Sequence, residues 1–383
     1  MKRIARISAA LSMLLISFLS NGQTAAVQPI KAQPKIQVAI LLDVSGSMSG
    51  LIEQAKAQLW NMVTILGKAQ CTDKTQPKVE LALYEYGRST NDVKNGYVKQ
   101  LSPFTNDLDE VSKILFSLST NGGDEYCGQV IWNSIDELKW DPLQDSYKVI
   151  FISGNEDFLQ GNLHYTKACA NANSKGVIVN TIYCGSYEMG IQEHWNLVGE
   201  CGNGSYSNID HNAKDEDIPT PYDSILLVMN GRLNNTYIGY GSMGYANTSR
   251  QQAVDQMNFS VSSKVAAKRM EAKAQSNVYS NSSWDLVDAI RADSNYYAKL
   301  DKNTLPDSLK NKSTKELQAY VQQKTEEREA IQKEILTVNA NRSKYIMEEK
   351  AKNAATNNNQ QTLETVIERS VKEQAARVKM VIQ

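Results

Sequence analysis

The placement of glycine divides this chain of 383 residues into two parts that are expected to fold differently. All 21 glycines lie at or before Gly244, whereas residues 245–383 contain no glycine and a single proline, Pro306. Glycine supplies tight turns between short elements, and its absence favours uninterrupted helix. The first part is therefore predicted to be an α/β domain, and the second is predicted to be nearly all helical.

Apolar runs alternate with helical patterns within residues 36–244. Continuous apolar runs, typical of strands buried on both faces, occupy residues 36–42, 79–86, 148–153 and 176–183. Apolar residues recur at helical spacing in residues 51–66, 108–118 and 130–138. This alternation predicts a doubly wound, mainly parallel sheet with helices on both faces.

The region after the predicted α/β domain has two parts. Residues 245–305 are predicted to be a helical extension, and residues 306–383 a helical hairpin or a coiled coil. Nine positions from 317 to 345 fit a heptad seam, but Lys324, Arg328 and Arg342 occupy three of them, which disfavours a strong coiled coil. Self-association through these helices stays open, as does a solvated helical tail.

In the hairpin alternative, the polar segment 353–361 forms the turn. Leu363, Val366 and Val371 then lie on the returning helix. Their spacing places them on one face of that helix.

The amino terminus has the features of an export signal. A basic segment at residues 2–6 precedes the apolar run Ile7–Leu19, and small residues follow at 20–22. This order predicts a signal peptide over residues 1–22, followed by a linker over 23–35. No later stretch is long and apolar enough to predict a transmembrane helix.

Charge and motif content exclude several classes of function. The 41 basic and 42 acidic residues give a net charge of −1, so no basic field predicts nucleic-acid binding. The sequence contains no P-loop, no dinucleotide-binding glycine fingerprint and no H-E-x-x-H motif. The segment 46–50 resembles a nucleophile elbow, but Met48 stands where that motif requires serine. The chain is therefore predicted not to be an enzyme.

One polar loop stands out at the end of the first predicted strand. Asp43, Ser45 and Ser47 follow this strand directly and precede an amphipathic helix. The carboxyl edge of a parallel sheet is where α/β proteins bind ligands. One carboxylate and two hydroxyls suit a hard cation such as Mg²⁺, with Ca²⁺ and Mn²⁺ as alternatives. The competing interpretation is that these side chains only cap the helix that follows.

This D-x-S-x-S loop, between a buried strand and a helix, resembles the first part of the metal-ion-dependent adhesion site (MIDAS) of von Willebrand factor type A (VWA) domains. The resemblance covers about residues 36–240. The segments ALYEYG (82–87), GGDEYCG (122–128) and NTIYCG (180–185) are similar to a group of exported bacterial VWA proteins. This resemblance implies that the chain is a bacterial protein that is located in the periplasm, secreted or displayed at the cell surface.

The resemblance implies two further ligand loops. In the second loop, Asp124 stands where the family commonly has threonine, and Thr120 and Glu125 are alternatives. These residues are otherwise expected only to cap the next helix. In the third loop, Gly154 takes the place of the family's aspartate, and Glu156 is the nearest carboxylate after it. The implied metal ligands are therefore Asp43, Ser45, Ser47, Asp124 and Glu156.

Five cysteines, at positions 71, 127, 169, 184 and 201, would meet an oxidising compartment after export. Cys127, Cys184 and Cys201 are expected near the carboxyl edge of the sheet, where one disulfide could fix the loops of the site. Buried free thiols are the alternative, and the connectivity stays open.

Two functions are consistent with these features. In the first, the resemblance implies metal-dependent protein binding or adhesion, in which a partner offers an acidic group to the cation. In the second, the chain is a cell-envelope scaffold that acts through its C-terminal helices, and its metal site is degenerate.

Overall fold

The computed structural model describes residues 33–210, 217–352 and 363–382. The predicted signal peptide (1–22), most of the predicted linker (23–35) and the predicted hairpin turn (353–361) lie outside these residues. The described residues belong to one unit spanning 33–383. Helices from the glycine-free part therefore pack in the same unit as the sheet.

Six of the eight strands in the described residues form one sheet in the order β4-β3-β1-β5-β6-β7. The strands are β1 Lys35–Asp43, β2 Ala69–Cys71, β3 Lys78–Tyr86, β4 Lys99–Thr105, β5 Tyr147–Gly154, β6 Ile178–Cys184, β7 Asn203–Ile209 and β8 Met380–Ile382. All neighbours in this sheet are parallel except the edge strand β4, which is antiparallel to β3. The predicted mainly parallel sheet is confirmed, and the four predicted strands match β1, β3, β5 and β6 within two residues.

Helices cover both faces of this sheet. In the described residues they are α1 Ser49–Gly67, α2 Leu108–Ser117, α3 Cys127–Glu137, α4 Tyr165–Ser174, α5 Tyr187–Gln192, α6 Trp195–Cys201, α7 Asp223–Asn234, α8 Gly244–Val261, α9 Ser263–Lys273, α10 Leu286–Ala292, α11 Asp307–Lys310, α12 Thr314–Lys352 and α13 Leu363–Ala375. Apolar side chains of α1, α2 and α13 pack on one face, and those of α3, α4 and α6 pack on the other. The doubly wound architecture is therefore present.

The helix α13 completes the face that also carries α1. Its Gln374 reaches the sheet, where the Tyr147 hydroxyl donates to Gln374 Oε1 at 2.9 Å and Gln374 Nε2 donates to Asn180 Oδ1 at 2.6 Å. All three polar groups are buried, so these bonds satisfy donors and acceptors that have lost water. The chain then forms β8, which pairs with β2 in an antiparallel manner. Helix alone was predicted for this segment.

The long helix α12 packs on α7, α9 and α10, whereas α13 packs on α1, β7 and β8. Buried positions of the predicted heptad seam are Leu317, Val321, Arg328, Ile331, Ile335 and Arg342. Arg328 Nη1 lies 2.7 Å from Asp285 Oδ2, and Arg342 Nε lies 2.7 Å from Asp223 Oδ1. Two charged seam positions are therefore paired within the chain, and the seam faces this chain's own helices.

In the described part of the chain, no helix is both long enough and apolar enough to cross a membrane.

Candidate functional site

The carboxyl edge of the sheet brings the ends of β1, β3 and β5 together. Asp43, the last residue of β1, lies opposite Tyr86 at the end of β3. Three loops start from these strands or cross beside them: 44–48 after β1, 118–126 before α3, and 155–160 after β5. The Asn121 N–H donates to Val44 O at 2.8 Å and joins the first loop to the second. The sequence-predicted ligands are Asp43 at the end of β1 and residues of these three loops.

Asp43 is fully buried, and only one of its carboxylate oxygens has a protein partner. The Ser45 N–H donates to Asp43 Oδ1 at 2.7 Å. Asp43 Oδ2 and Ser45 Oγ are buried, and neither has a hydrogen-bond partner within the described residues. Unpaired buried polar atoms are costly, so these two oxygens are available to a ligand.

The first loop does not cap the helix that follows it. The N-cap position of α1 is Met48, and no side chain caps this end. Ser47 is exposed, and its hydroxyl lies 3.4 Å from Asn155 Oδ1 in the third loop. The capping interpretation of Asp43, Ser45 and Ser47 therefore has no support in the structure.

The second loop places Glu125 beside Asp43 and leaves Asp124 at the surface. Glu125 is buried, and a Cβ added at Gly87 would lie 3.0 Å from both Asp43 Oδ1 and Glu125 Cγ. Asp124 is exposed, with its Oδ2 3.5 Å from the Tyr126 hydroxyl, and Thr120 is half-buried. No side chain caps the start of α3. Of the three residues expected in this loop, Glu125 is therefore the one that shares its surroundings with Asp43.

A side chain at Gly154, the last residue of β5 before the third loop, would overlap its neighbours. A Cβ added at Gly154 would lie 2.5 Å from the Tyr86 Oη and 3.0 Å from Asp43 Oδ2. The Tyr86 hydroxyl donates to Ser153 O at 2.9 Å and so stays in this space. Glu156, two residues further, is half-buried, and its Oε2 lies 3.5 Å from Gln160 Nε2.

Replacing Gly154 with alanine is expected to destabilise the protein by about 1–3 kcal/mol, because the new methyl group overlaps the Tyr86 hydroxyl. Urea unfolding measures the change. Gly46→Ala is the matched control, since its Cβ would meet nothing within 4 Å. Tyr86→Phe in the Gly154→Ala background should recover part of the loss. Equal stability of the two single variants would contradict this account.

Burial and repulsion between charges raise the pKa values of two carboxyl groups at this edge, Asp43 and Glu125. Burial raises the pKa of Asp43 to about 6, against the hydrogen bond from the Ser45 N–H, and the charge of Glu156 adds to the increase. Burial also raises the pKa of Glu125 to about 8, with additions from Asp43, Glu156 and Asp124. A cation placed here would relieve this repulsion.

The oxygen atoms available at this edge could coordinate a hard cation, with water as its remaining ligands. Asp43 Oδ2 and Ser45 Oγ are the two unpartnered buried atoms, and Ser47 adds an exposed hydroxyl. Within residues 33–210, 217–352 and 363–382, no three or more His, Cys, Asp or Glu side chains form a group that could hold a metal ion. A cation would therefore rely on Asp43, hydroxyls and water, with Glu125 and Glu156 as outer charges.

The disulfide differs from the expected one. Cys201 pairs with Cys169 and links α6 to α4, while Cys127 and Cys184 are buried free thiols. Cys127 packs on the α3 face of the sheet and Cys184 packs on the α1 face. The sheet therefore separates two of the three cysteines expected to form the bridge. The sequence signal for Cys169 was weak because α4 has only three buried residues, Ala168, Cys169 and Ala172.

Comparison with known proteins gives structural matches only. No family model matches the chain, and no curated protein matches it. An aerotolerance-related membrane protein from Bacteroides fragilis is 16% identical, has a TM-score of 0.31, and is matched over 46% of this chain and 93% of its own. Proximal thread matrix protein 1 from the mussel byssus, with a zinc-occupied MIDAS motif, is 11% identical and has a TM-score of 0.34. It is matched over 46% of this chain and 42% of its own. The von Willebrand factor type A structure from Catenulispora acidiphila is 13% identical and has a TM-score of 0.34. It is matched over 46% of this chain and 39% of its own.

Proposed function

We propose that this chain, whose α/β region has the von Willebrand factor type A fold, is an exported binding protein that uses a divalent cation to hold a protein partner. The observation that carries the proposal is the pair of buried oxygens without hydrogen-bond partners, Asp43 Oδ2 and Ser45 Oγ, at the end of β1. A hard cation such as Mg²⁺, or Ca²⁺ or Mn²⁺, would satisfy both atoms.

Partner binding follows from the small number of protein ligands. Asp43, Ser45 and Ser47 would occupy part of the cation's shell, and water would occupy the rest. An acidic group of a partner could replace such a water and gain a direct bond to the cation. This role is binding and not catalysis. The amino-terminal segment 1–22 supports export to the periplasm or cell surface of a bacterium.

A second candidate function is supported by the third loop. Gly154 supplies no carboxylate, and Tyr86 blocks the space where one would sit. In this case the chain is a cell-envelope scaffold, the VWA fold is structural, and the helices carry the interaction. Calorimetric titration separates the two, because a scaffold with a degenerate site binds no cation.

Titration of Mg²⁺, Ca²⁺ and Mn²⁺ into the native protein should show binding that strengthens between pH 6 and pH 8. A cation competes with protons for the carboxylates, whose pKa values are about 6 for Asp43 and about 8 for Glu125. If Asp43 alone must ionise, the affinity rises by about twofold over this range, whereas participation of Glu125 raises it by roughly 50-fold or more. Heat and proton release are measured together.

Glu125→Gln is the matched variant for this titration. It keeps the shape of the side chain and should reduce a steep pH dependence to about twofold, because only Asp43 then titrates. Asp124→Asn, at the exposed neighbour, should leave the steep dependence in place. Absence of cation binding at every pH would rule out the cation-dependent function.

A further inference from the structure

A surface of tyrosine and glutamate side chains lies on the same edge as the candidate cation site. The short helix α5 begins at Tyr187, shortly after β6 ends at Cys184, so it lies at the carboxyl edge. Tyr187 is 48% exposed, and its ring centroid lies 4.9 Å from that of Tyr206. Glu188 follows Tyr187 in α5 and is exposed, and Glu193, the residue after α5, is half-buried. We call Tyr187, Tyr206, Glu188 and Glu193 the rim surface.

Charges of the rim surface and of the third loop act on neighbouring tyrosines. Burial raises the pKa of Tyr183, and the charges of Glu193 and Glu156 add to this increase. Burial likewise raises the pKa of Tyr206, with further contributions from Tyr187, Tyr183 and Glu188. Glu156 of the third loop and the two glutamates of the rim surface therefore act on adjoining tyrosines.

Within the described residues, several negative charges on this edge have no ion-pair partner among the basic side chains. In the described ranges, no basic side chain forms an ion pair with Asp124, Glu125, Glu156, Glu188 or Glu193. Arg88 is paired with Glu85, and His194 lies beside Asp157 at 2.9 Å. A divalent cation adds two positive charges, so several negative charges would remain around it. A partner that carried only acidic groups would meet repulsion here.

We propose that the rim surface binds an arginine-containing basic segment of the protein partner, next to the cation site marked by the unpartnered Asp43 Oδ2 and Ser45 Oγ. This inference rests on the proposed partner-binding function, but not on the cation itself. A guanidinium group can stack on the exposed Tyr187 ring and donate hydrogen bonds to a carboxylate at its edge. Met189 and Ile191 are also exposed on α5 and can contact the aliphatic part of such side chains.

The test uses labelled dodecapeptides made of Gly-Ser-Arg repeats, with Gly-Ser-Lys and Gly-Ser-Glu repeats for comparison, at about 0.15 M salt. The full chain should bind the arginine peptide at least about tenfold more tightly than the glutamate peptide. The paired change Glu188→Gln with Glu193→Gln should weaken arginine-peptide binding by about fivefold or more. Tyr187→Ala should weaken it by about threefold and remove the preference for arginine over lysine.

The matched control removes two acidic charges from the opposite edge of the sheet. Asp145 is exposed just before β5, and Glu373 is exposed on α13 beside Gln374, which contacts the first residue of β5. Asp145→Asn with Glu373→Gln should leave arginine-peptide binding within about twofold. These two charges lie at the opposite edge of the sheet, more than one Debye length from the rim surface, so salt screens their effect on it. An equal loss in both paired variants would overturn the proposal, since the binding would then reflect net charge alone.

The cation and the rim surface give separate readouts. Calorimetric Mg²⁺ binding should be unchanged in the Glu188→Gln, Glu193→Gln variant. If the native protein binds Mg²⁺ but does not prefer the arginine peptide, the rim proposal fails and the cation function stands. If it prefers the arginine peptide and binds no cation at any pH, the cation function fails and the rim proposal stands.

Discussion

Replacing Asp43 with alanine is expected to weaken Mg²⁺ binding by more than about 100-fold, because this residue supplies the innermost carboxylate of the candidate site. Asp43 is fully buried, and its Oδ2 is one of the two atoms that would contact the cation. Alanine also removes the acceptor for the Ser45 N–H, so the loop itself loses an anchor. Isothermal titration calorimetry measures the change.

Asp43→Asn separates the loss of charge from the loss of the loop anchor. Asparagine keeps an oxygen that can accept from the Ser45 N–H, but it has no negative charge. Its affinity for Mg²⁺ should still fall by more than about tenfold. Asp124→Ala removes an exposed carboxylate and should change the affinity by less than about fivefold. Native-like binding by Asp43→Asn would show that Asp43 is not a ligand.

The same variants report on folding in the absence of the cation. The pKa of Asp43 is raised to about 6 from 3.8. A raised pKa means that the folded protein loses stability as the pH rises from about 4 to about 6, because the buried carboxylate must ionise while the unfolded chain has already lost this proton. At pH 7 the metal-free Asp43→Asn protein should therefore be about 1–3 kcal/mol more stable than the native protein. A gain in stability with a loss of cation binding is typical of a functional site.

Replacing Arg328 with alanine is expected to lower the free energy of unfolding by about 3–5 kcal/mol, because two buried aspartates lose their cation. Arg328 is 1% exposed, and its Nη1 lies 2.7 Å from Asp285 Oδ2 and 3.0 Å from Asp288 Oδ1. Its guanidinium also lies 4.0 Å from the centre of the Tyr237 ring. Urea unfolding, followed by circular dichroism, measures the loss.

Arg232→Ala is the matched control for Arg328→Ala. The Arg232 side chain is 52% exposed and pairs with Glu334, which is 51% exposed. Its removal should cost less than about 1 kcal/mol, because water replaces the lost partner. Similar small losses for both arginines would mean that the buried cluster around Arg328 is not a stabilising feature of the helical region.

The sequence was sufficient to predict elements that have an apolar pattern of their own. β1, β3, β5 and β6 are largely buried apolar runs, and Asp43 is the last residue of the first of them. β7, in contrast, spans Asn203–Ile209 and has only two buried residues, so its apolar pattern is weak. β8 has three residues and exists because β2 lies beside it. Such a strand depends on long-range pairing and has no local signal.

Two features of the site also depend on contacts that no local pattern encodes. The Tyr86 hydroxyl of β3 fills the space into which a side chain at Gly154 would extend, and the two residues are far apart in sequence. The choice between Asp124 and Glu125 depends on which neighbouring side chain turns inward in an irregular loop. The charged residues of α12 were predicted to weaken a coiled coil, but Arg328 meets Asp285, which lies outside the heptad pattern.

The C-terminal contacts determine when the core can be completed during synthesis. Thr72 and Lys379, which are hydrogen-bonded beside the β2–β8 pair, are separated by 307 residues in sequence, and Tyr147 and Gln374 by 227. Contacts of such high sequence separation form late and slow folding. The face of the sheet covered by α13 thus stays open until Leu363–Ala375 has emerged from the ribosome. A delay of this kind keeps the apolar residues of that face exposed to water for longer during synthesis.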